Sequence, residues 1–321
     1  MYVTKTVLAL FKDADDESLC NPLMSGIPGI IRVVAGDKVA ASLENLKRVG
    51  IDPCLSIISS RLYPAERSDL VAALRHAFPA TEVLLISSSA DPFPPLQPLA
   101  ADNVRHLAIN PGVPREQEGD EPKQQFLAAI EKLVEGRPWK MADYLSPGTV
   151  VHEYGVCSSS QKEELIARIE AAIAGDSEEI DLLRQRGALL ADEMLENAMY
   201  NAPQREDGSK LYRKGEERCI APREGIAFRF GFDGEVLAME VADGWGSLSP
   251  DMVLRHLARN QDGREICEET GGRGLFIIWR ILDHFHVSIT PGRQTVVGGH
   301  LKASSPIDLE AHRGFHISTH A

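Results

Sequence analysis

No run of this 321-residue chain is long and apolar enough to span a bilayer. The longest uncharged stretch, Ser18 to Ile31, is too short for that and is broken by Asn21, Pro22, Gly26, Pro28 and Gly29. The amino terminus shows no basic segment followed by an apolar core and a small-residue cleavage site, so no secretory signal is expected. Positive charge is scarce: 34 Lys and Arg stand against 47 Asp and Glu, a net charge of −13. That balance argues against a chain-wide grip on nucleic acid or anionic lipid, so any phosphate site has to be built locally. Cysteines are few, odd in number and scattered (Cys20, Cys54, Cys157, Cys219, Cys267), with no C-x-x-C pair. Neither a disulfide framework nor a zinc site is favoured, and a reducing cytoplasm fits best. Three widespread phosphate-binding signatures are also missing: the G-x-x-x-x-G-K-[ST] loop, G-x-G-x-x-G after a strand, and the kinase pair H-R-D and D-F-G. No internal repeat or low-complexity tract is present.

What is there is an ordinary globular composition, 43% hydrophobic and 25% charged, in a chain long enough for two domains. The pattern changes near residue 136. From Lys5 to Val134, short β-branched runs alternate with helix-like runs, which predicts parallel strands joined by crossover helices in an α/β, doubly wound, flavodoxin-like layer. Strands are expected at Thr6–Leu10, Ile30–Val34, Cys54–Ile58, Glu82–Ile86 and Val104–Ile109. Helices are expected at Ala40–Val49, Ala65–Ala77 and Lys123–Val134. The Pro- and Gly-rich connection Cys20–Gly29 predicts only a stunted helix, and Asp91–Pro98 (DPFPPLQP) a loop.

This first domain, residues 1–136, resembles a response-regulator receiver. In the register set by PCLSIISSRLYP (Pro53–Pro64), Ser59 takes the slot of the phosphorylated aspartate. Ser87 and Ser88 end the fourth strand where receivers place a hydroxyl, and Asn110, before Pro111, stands where they carry a lysine. An acyl phosphate needs a carboxylate nucleophile and an ammonium, and Ser59 and Asn110 supply neither. The resemblance therefore implies a pseudo-receiver without aspartyl phosphorylation, with Asp13, Asp15 and Asp16 expected in a solvated loop. The alternative is a flavodoxin-like domain with no receiver ancestry.

The second domain is expected over residues 137–305, followed by a frayed tail, 306–321. It opens on a strand-like run, Thr149–Val156, then an amphipathic helix, Gln161–Ala174, and a longer helical pattern, Ile180–Tyr200. Strand-like runs follow at Ile226–Phe232 and Val236–Ala242, with a last one near Gln294–Lys302. Three motifs sit on this framework. In DEMLENAMYNAP (Asp192–Pro203), Glu193, Asn197 and Asn201 recur every four residues and share a helix face. A carboxylate one turn from an amide can polarise a hydroxyl while the amide oxygen ligates Mg²⁺. In MEVADGWGSL (Met239–Leu248), an apolar strand ends in an acid that can accept a hydrogen bond from the adenine amine, and Gly244 and Gly246 admit the ring. In TGGRGLFIIWRIL (Thr270–Leu282), Gly271, Gly272 and Gly274 lead into a helix start whose amides can bind phosphate oxygens. Taken singly, each also reads as a solvated face, a tight turn or an ordinary helix entry.

In this order the three resemble the N box and the two glycine boxes of the GHKL ATPase superfamily, which includes gyrase, histidine kinases, MutL and anti-sigma-factor serine kinases. The resemblance covers roughly Pro138 to Ser304 and implies an α/β sandwich of the Bergerat type. It implies ATP and Mg²⁺ as ligands, Glu193 as general base and Asn197 as the Mg²⁺ ligand. It also implies Asp243 on adenine with Gly244 and Gly246 shaping the pocket, Gly271, Gly272 and Gly274 at the phosphates, and Thr295 backing Asp243. Glu193 four residues before Asn197 is closest to the anti-sigma kinases, and Asn201 replaces a histidine frequent in the superfamily. D-G-W-G is one residue tighter than the usual D-x-G-x-G, and GGRGLF lacks a further glycine after the leucine, which favours binding over hydrolysis or transfer. Trp245 either stacks on the base or fills a core.

The implied function is a cytoplasmic signalling regulator that binds Mg-ATP, either an anti-sigma-type serine kinase or a nucleotide-controlled partner switch. Its partner would be an anti-anti-sigma-like protein, a sigma factor or another signalling protein, with no nucleic acid or membrane involved and a homodimer expected. The alternative is a non-catalytic interaction module with a degenerate or structural ATP site. His152 beside Glu153 is read as structural. The polar insert Arg205–Arg218 is expected to be a solvated hairpin or loop whose Lys210, Arg213 and Lys214 can approach a phosphate. Arg255, Arg259 and Arg264 fall in the expected lid between Ser247 and Gly271. His300, His312, His316 and His320 are spaced too loosely to suggest a metal site.

Overall fold

The computed structural model describes residues 5–34, 38–63, 69–110, 121–205, 207–259, 273–305 and 311–320. The chain forms two compact units, Met1–Pro138 and Trp139–Ala321, both mixed α/β. No helix among the described residues is long and apolar enough to cross a membrane.

In the first unit, strands β1 (Thr6–Phe11), β2 (Ile30–Val34), β3 (Pro53–Ser59), β4 (Glu82–Ser88) and β5 (His106–Asn110) form a parallel sheet in the order β2-β1-β3-β4-β5. Helices α1 (Ala14–Met24), α2 (Val39–Arg48), α3 (Asp69–Ala77), α4 (Leu96–Ala101) and α5 (Glu121–Glu135) make the connections. Both faces of the sheet are covered, as near-continuous apolar strands require. Val7, Ala9, Leu55, Ile57 and Ile86 pack against Cys20, Leu23 and Met24 of α1 and Phe126 and Ile130 of α5, while Leu8, Leu10, Ile58 and Leu85 are buried on the opposite face.

Three expectations for this unit are corrected. The connection after β1 is a full helix, α1, which runs through Pro22 because Cys20, Leu23 and Met24 bury their side chains beyond it. Asp13 is exposed at the bend before α1 and Asp15 is exposed in its first turn, but Asp16 is buried rather than solvated. Asp13 caps α1 by accepting the Asp16 N–H at 2.9 Å, and the buried Asp16 carboxylate accepts the Lys12 N–H at 2.9 Å and the Ser59 hydroxyl at 2.6 Å. Acidic groups are favoured at a helix start, where free N–H groups and the dipole meet them. The stretch DPFPPLQP holds the start of α4, with Leu96, Leu99 and Ala100 buried. Asn110 donates to the Leu19 carbonyl at 3.1 Å, so it fastens β5 to α1. Burial, with Asp16 beside it, pushes the Cys20 thiol up to about 12.

The second unit is built on strands β6 (Val151–Gly155), β7 (Ala227–Phe232), β8 (Val236–Asp243), β9 (His284–Thr290), β10 (Gln294–Lys302) and β11 (Gly314–Thr319). Their order is β11-β9-β10-β8-β7-β6, antiparallel throughout except for the parallel β11–β9 pair. The helices are α6 (Lys162–Ala172), α7 (Glu178–Glu196), α8 (Pro250–Arg259) and α9 (Arg273–Ile281). Helix α7 starts where the Ser177 hydroxyl accepts the Ile180 N–H, with Glu178, Glu179 and Asp181 in its first turn. Its Ile180, Leu183, Leu190, Ala191 and Met194 are buried. The segment expected to fray supplies β11, whose Phe315 and Ile317 are fully buried beside β9. GFHIST alternates apolar and polar residues, the pattern of a half-buried strand.

The other face of this sheet carries a cluster of histidines that their spacing did not suggest. His284 and His286 of β9, His300 of β10 and His316 of β11 share that face, as their pairing requires. The segment Trp139–Tyr144 lies over them. Trp139 stacks on His316 with ring centroids 4.2 Å apart, and the Tyr144 hydroxyl bonds Nδ1 of His284 at 2.7 Å and of His286 at 2.9 Å. Among the described residues no group of three or more His, Cys, Asp or Glu is arranged to hold a metal ion. Burial, with His300 and His286 beside it, holds the His284 imidazole well below its usual pKa. A group depressed in this way favours the folded state above the unfolded value of about 6.5 and withdraws that support as pH falls. Relative to wild type, His284→Phe is therefore expected to keep more of its thermal midpoint on going from pH 7 to pH 5; the same pH profile in both proteins would refute the assignment.

Candidate functional site

Helix α7, strand β8 and helix α9 converge on one cleft, part of it open to solvent. Its walls are Met194, Asn197 and Asn201 at the end of α7, Val241 and Asp243 of β8, Leu275 and Ile278 of α9, and Val297 of β10. Met252 and His256 of α8 close another side.

The end of α7 does not stop as an ordinary α-helix. Asn197–Asn201 form a π-helical turn, closed by the Ala202 N–H donating to the Asn197 carbonyl at 2.8 Å. Within it the Asn201 amide donates to Asn197 Oδ1 at 2.6 Å, and Asn197 Nδ2 is buried without a hydrogen-bond partner among the described residues. Glu193 lies one turn earlier in a charged group: Lys162 bonds Asp192 at 2.6 Å and Glu196 at 3.2 Å, and Lys214 pairs with Glu196. Burial raises the Glu193 carboxyl, with Lys214 acting in the opposite direction. That combination suits a base.

Asp243 reaches the cleft through strand period two, following Leu237, Met239 and Val241 on the helix-covered face of β8. One carboxylate oxygen accepts the Trp245 N–H at 2.9 Å and the Gly246 N–H at 3.3 Å. Burial raises its pKa from the ordinary 3.8 to about 6. Directly across the β8–β10 ladder stands Thr295, 1% exposed, whose hydroxyl has no partner among the described residues. A buried acceptor beside an unspent hydroxyl is a pair prepared for a ligand's polar edge.

The glycines have distinct reasons. Gly244 donates to the Glu224 carbonyl at 2.6 Å, and a Cβ there would lie 2.9 Å from that oxygen. Gly246 has φ +55°, and a Cβ would lie 2.4 Å from the Thr290 carbonyl. Gly274 opens α9, and a Cβ on it would lie 2.8 Å from Asn197 Nδ2 and 2.9 Å from Glu193 Oε2. The third sequence box therefore abuts the first.

Of the residues singled out from sequence, Asn197, Asn201 and Asp243 line the cleft; Glu193, Gly274 and Thr295 border these; Gly244 and Gly246 shape the turn after Asp243. Gly271, Gly272 and Arg264 lie outside the described residues. Trp245 is partly buried and is not among the cleft residues, and Arg255 pairs with Asp251 on the exposed side of α8. The described residues of the Arg205–Arg218 insert form the mostly exposed hairpin that was expected, anchored at its C-terminal end. Arg218 forms a buried ion pair with Glu224 at 2.5 Å and sits 3.7 Å above the Tyr212 ring, and the Tyr200 hydroxyl bonds the Glu216 carbonyl. Sequence reasoning missed Glu224 and His256; neither lies in a motif, and only the neighbouring backbone gives them a place.

The donor set fits the groups that the motifs imply. Asn197 presents an amide oxygen with one lone pair left beside Asn201, which suits a hard cation that takes most of its ligands from phosphate and water. No protein-family model matches the chain, and no curated protein matches it.

Proposed function

We propose that the second unit is a GHKL-type ATP-binding domain and the first a pseudo-receiver, together a signalling regulator that acts as an anti-sigma-type serine kinase or as a nucleotide-controlled partner switch. The observation that carries this reading is the seating of Gly274 against Asn197 and Glu193, at a cleft whose far wall holds the buried Asp243 facing Thr295. Residues of three motifs far apart in the chain thus lie in or beside one cleft, which supports the reading.

In this reading Asp243 accepts the adenine amine, Val241, Val297 and Met252 enclose the ring, and Asn197 holds Mg²⁺. The cation, when bound, offsets charge on the phosphates. Glu193, raised by burial, takes the proton from an acceptor hydroxyl. A second reading, a binding switch without transfer, is favoured by the Asn201 hydrogen bond that already occupies one lone pair of Asn197.

Calorimetric titration with Mg-ATP tests the proposal. Binding is expected to the wild type and to be lost in Asn197→Ala and Asp243→Ala; a well-folded wild type that binds no ATP would sink it. Glu193→Ala separates the two readings: binding kept with turnover abolished marks an enzyme, whereas a wild type that binds tightly without turnover in the presence of a partner marks a switch.

A further inference from the structure

We propose that Lys210 grips the phosphate tail of the bound nucleotide, which makes the hairpin after α7 a phosphate clamp. The inference rests on the adenine-nucleotide reading of the cleft and extends it to a residue outside the three motifs.

Among the described residues that line the cleft, Lys210 carries the one ammonium or guanidinium group. It stands on the wall that also carries the amides of Asn197, Asn201 and Gln204, while Asp243, the one carboxylate of the lining, belongs to strand β8. The neighbouring cations are already engaged. Lys162 holds Asp192 and Glu196, Lys214 holds Glu196, and Arg218 holds Glu224. Arg205 donates to the Lys210 carbonyl at 2.6 Å and to the Ser209 hydroxyl at 3.3 Å, so its charge fastens the hairpin. Lys210 itself makes no ion pair among the described residues.

Its position is also set by backbone. Gln204 and Lys210 face each other in an antiparallel bridge, the Arg205 N–H donates to the Ser209 carbonyl at 2.8 Å, and the Gly208 N–H to the Arg205 carbonyl at 2.9 Å. The Gln204 amide in turn donates to the Asn201 carbonyl at 3.3 Å, which links the hairpin to the π-turn that carries Asn197. A mobile point charge on a fixed backbone, with no carboxylate paired to it among the described residues, at a cleft wall of amide donors, is matched by a polyanion. On a protein of net charge −13, such a local cation also offsets the general repulsion of a nucleotide's phosphates.

The test is calorimetry on the full chain with adenosine, ADP and Mg-ATP, comparing wild type, Lys210→Ala, Lys210→Arg and, as a charge control, Arg168→Ala, an exposed cation of α6 paired with Glu164 and outside the cleft lining. Lys210→Ala is expected to weaken Mg-ATP and ADP about tenfold or more while leaving adenosine unchanged, as loss of one charge-assisted contact requires. Lys210→Arg is expected to keep most of the affinity and Arg168→Ala all of it. Equal losses for adenosine and Mg-ATP, or no loss for either, would overturn the proposal. A wild type that binds adenosine and Mg-ATP equally well would overturn it while leaving the nucleoside site standing; one that binds none of the three would remove the underlying reading as well.

Discussion

At pH 7, Asp243→Asn is expected to make the protein more stable and at the same time a weaker binder of adenine nucleotides. Burial raises the Asp243 carboxyl to about 6, so folding at neutral pH forces a charge into a site that disfavours it. A group whose folded pKa lies above the unfolded value supports the fold fully below that unfolded value and loses the support as pH rises through the folded one. Here that window runs from 3.8 to about 6. The roughly two-unit displacement corresponds to an upper bound of about 3 kcal/mol recovered at pH 7 by a neutral isostere. Asparagine keeps an oxygen for the Trp245 and Gly246 N–H groups without the buried charge. Its amide presents a donor to the adenine amine, so affinity is expected to fall about tenfold to a hundredfold. Urea unfolding at pH 7 and pH 4 together with calorimetry checks both halves. The stability gain should shrink at the lower pH, and a variant that binds adenine nucleotides normally would remove Asp243 from the site.

The second large effect separates two glycines that look alike in sequence. Gly274→Ala places its methyl 2.8 and 2.9 Å from the Asn197 amide atoms and 2.9 Å from Glu193 Oε2, all of them ends of flexible side chains. Those groups can swing away, so the fold is expected to survive with a loss of about 1 kcal/mol or less, whereas Mg-ATP affinity is expected to fall at least tenfold because Asn197 and Glu193 have moved. Gly246→Ala meets backbone instead, 2.4 Å from the Thr290 carbonyl, 2.5 Å from the Arg293 N and 2.7 Å from the Gly292 N, at a φ of +55°. Nothing there can yield cheaply, and a loss of about 3 kcal/mol or more is expected. Circular dichroism melts and nucleotide titration distinguish them: a Gly274→Ala protein that binds like wild type would show that the third motif does not serve this cleft.

The readable parts of the chain were those written in local period. The alternation of apolar runs placed the five parallel strands of the first unit to within one or two residues, and the four-residue recurrence of Glu193, Asn197 and Asn201 marked a helix that the structure also has. Signals that local composition contradicts were misread. Pro22 argued against α1, the run of prolines against α4, and the last residues were expected to fray, yet in each case burial of apolar side chains outweighed the local signal. Asp16 looked solvated because a charge run usually is; its burial rests on Ser59, more than forty positions along, arriving at the same end of the sheet.

By itself, then, the sequence determined the α/β character of both units and the chemical types at the three motifs. The tertiary structure alone decided that Gly274 touches Asn197 and Glu193, that Thr295 stands opposite Asp243, that Lys210 faces the cleft while Lys214 is spent on Glu196, and that four histidines gather under Trp139 and Tyr144. The reason is physical. Helix and strand periods are short-range and leave their mark within a dozen residues, whereas these contacts depend on which strands pair and in what register, a choice made by the burial of the whole sheet.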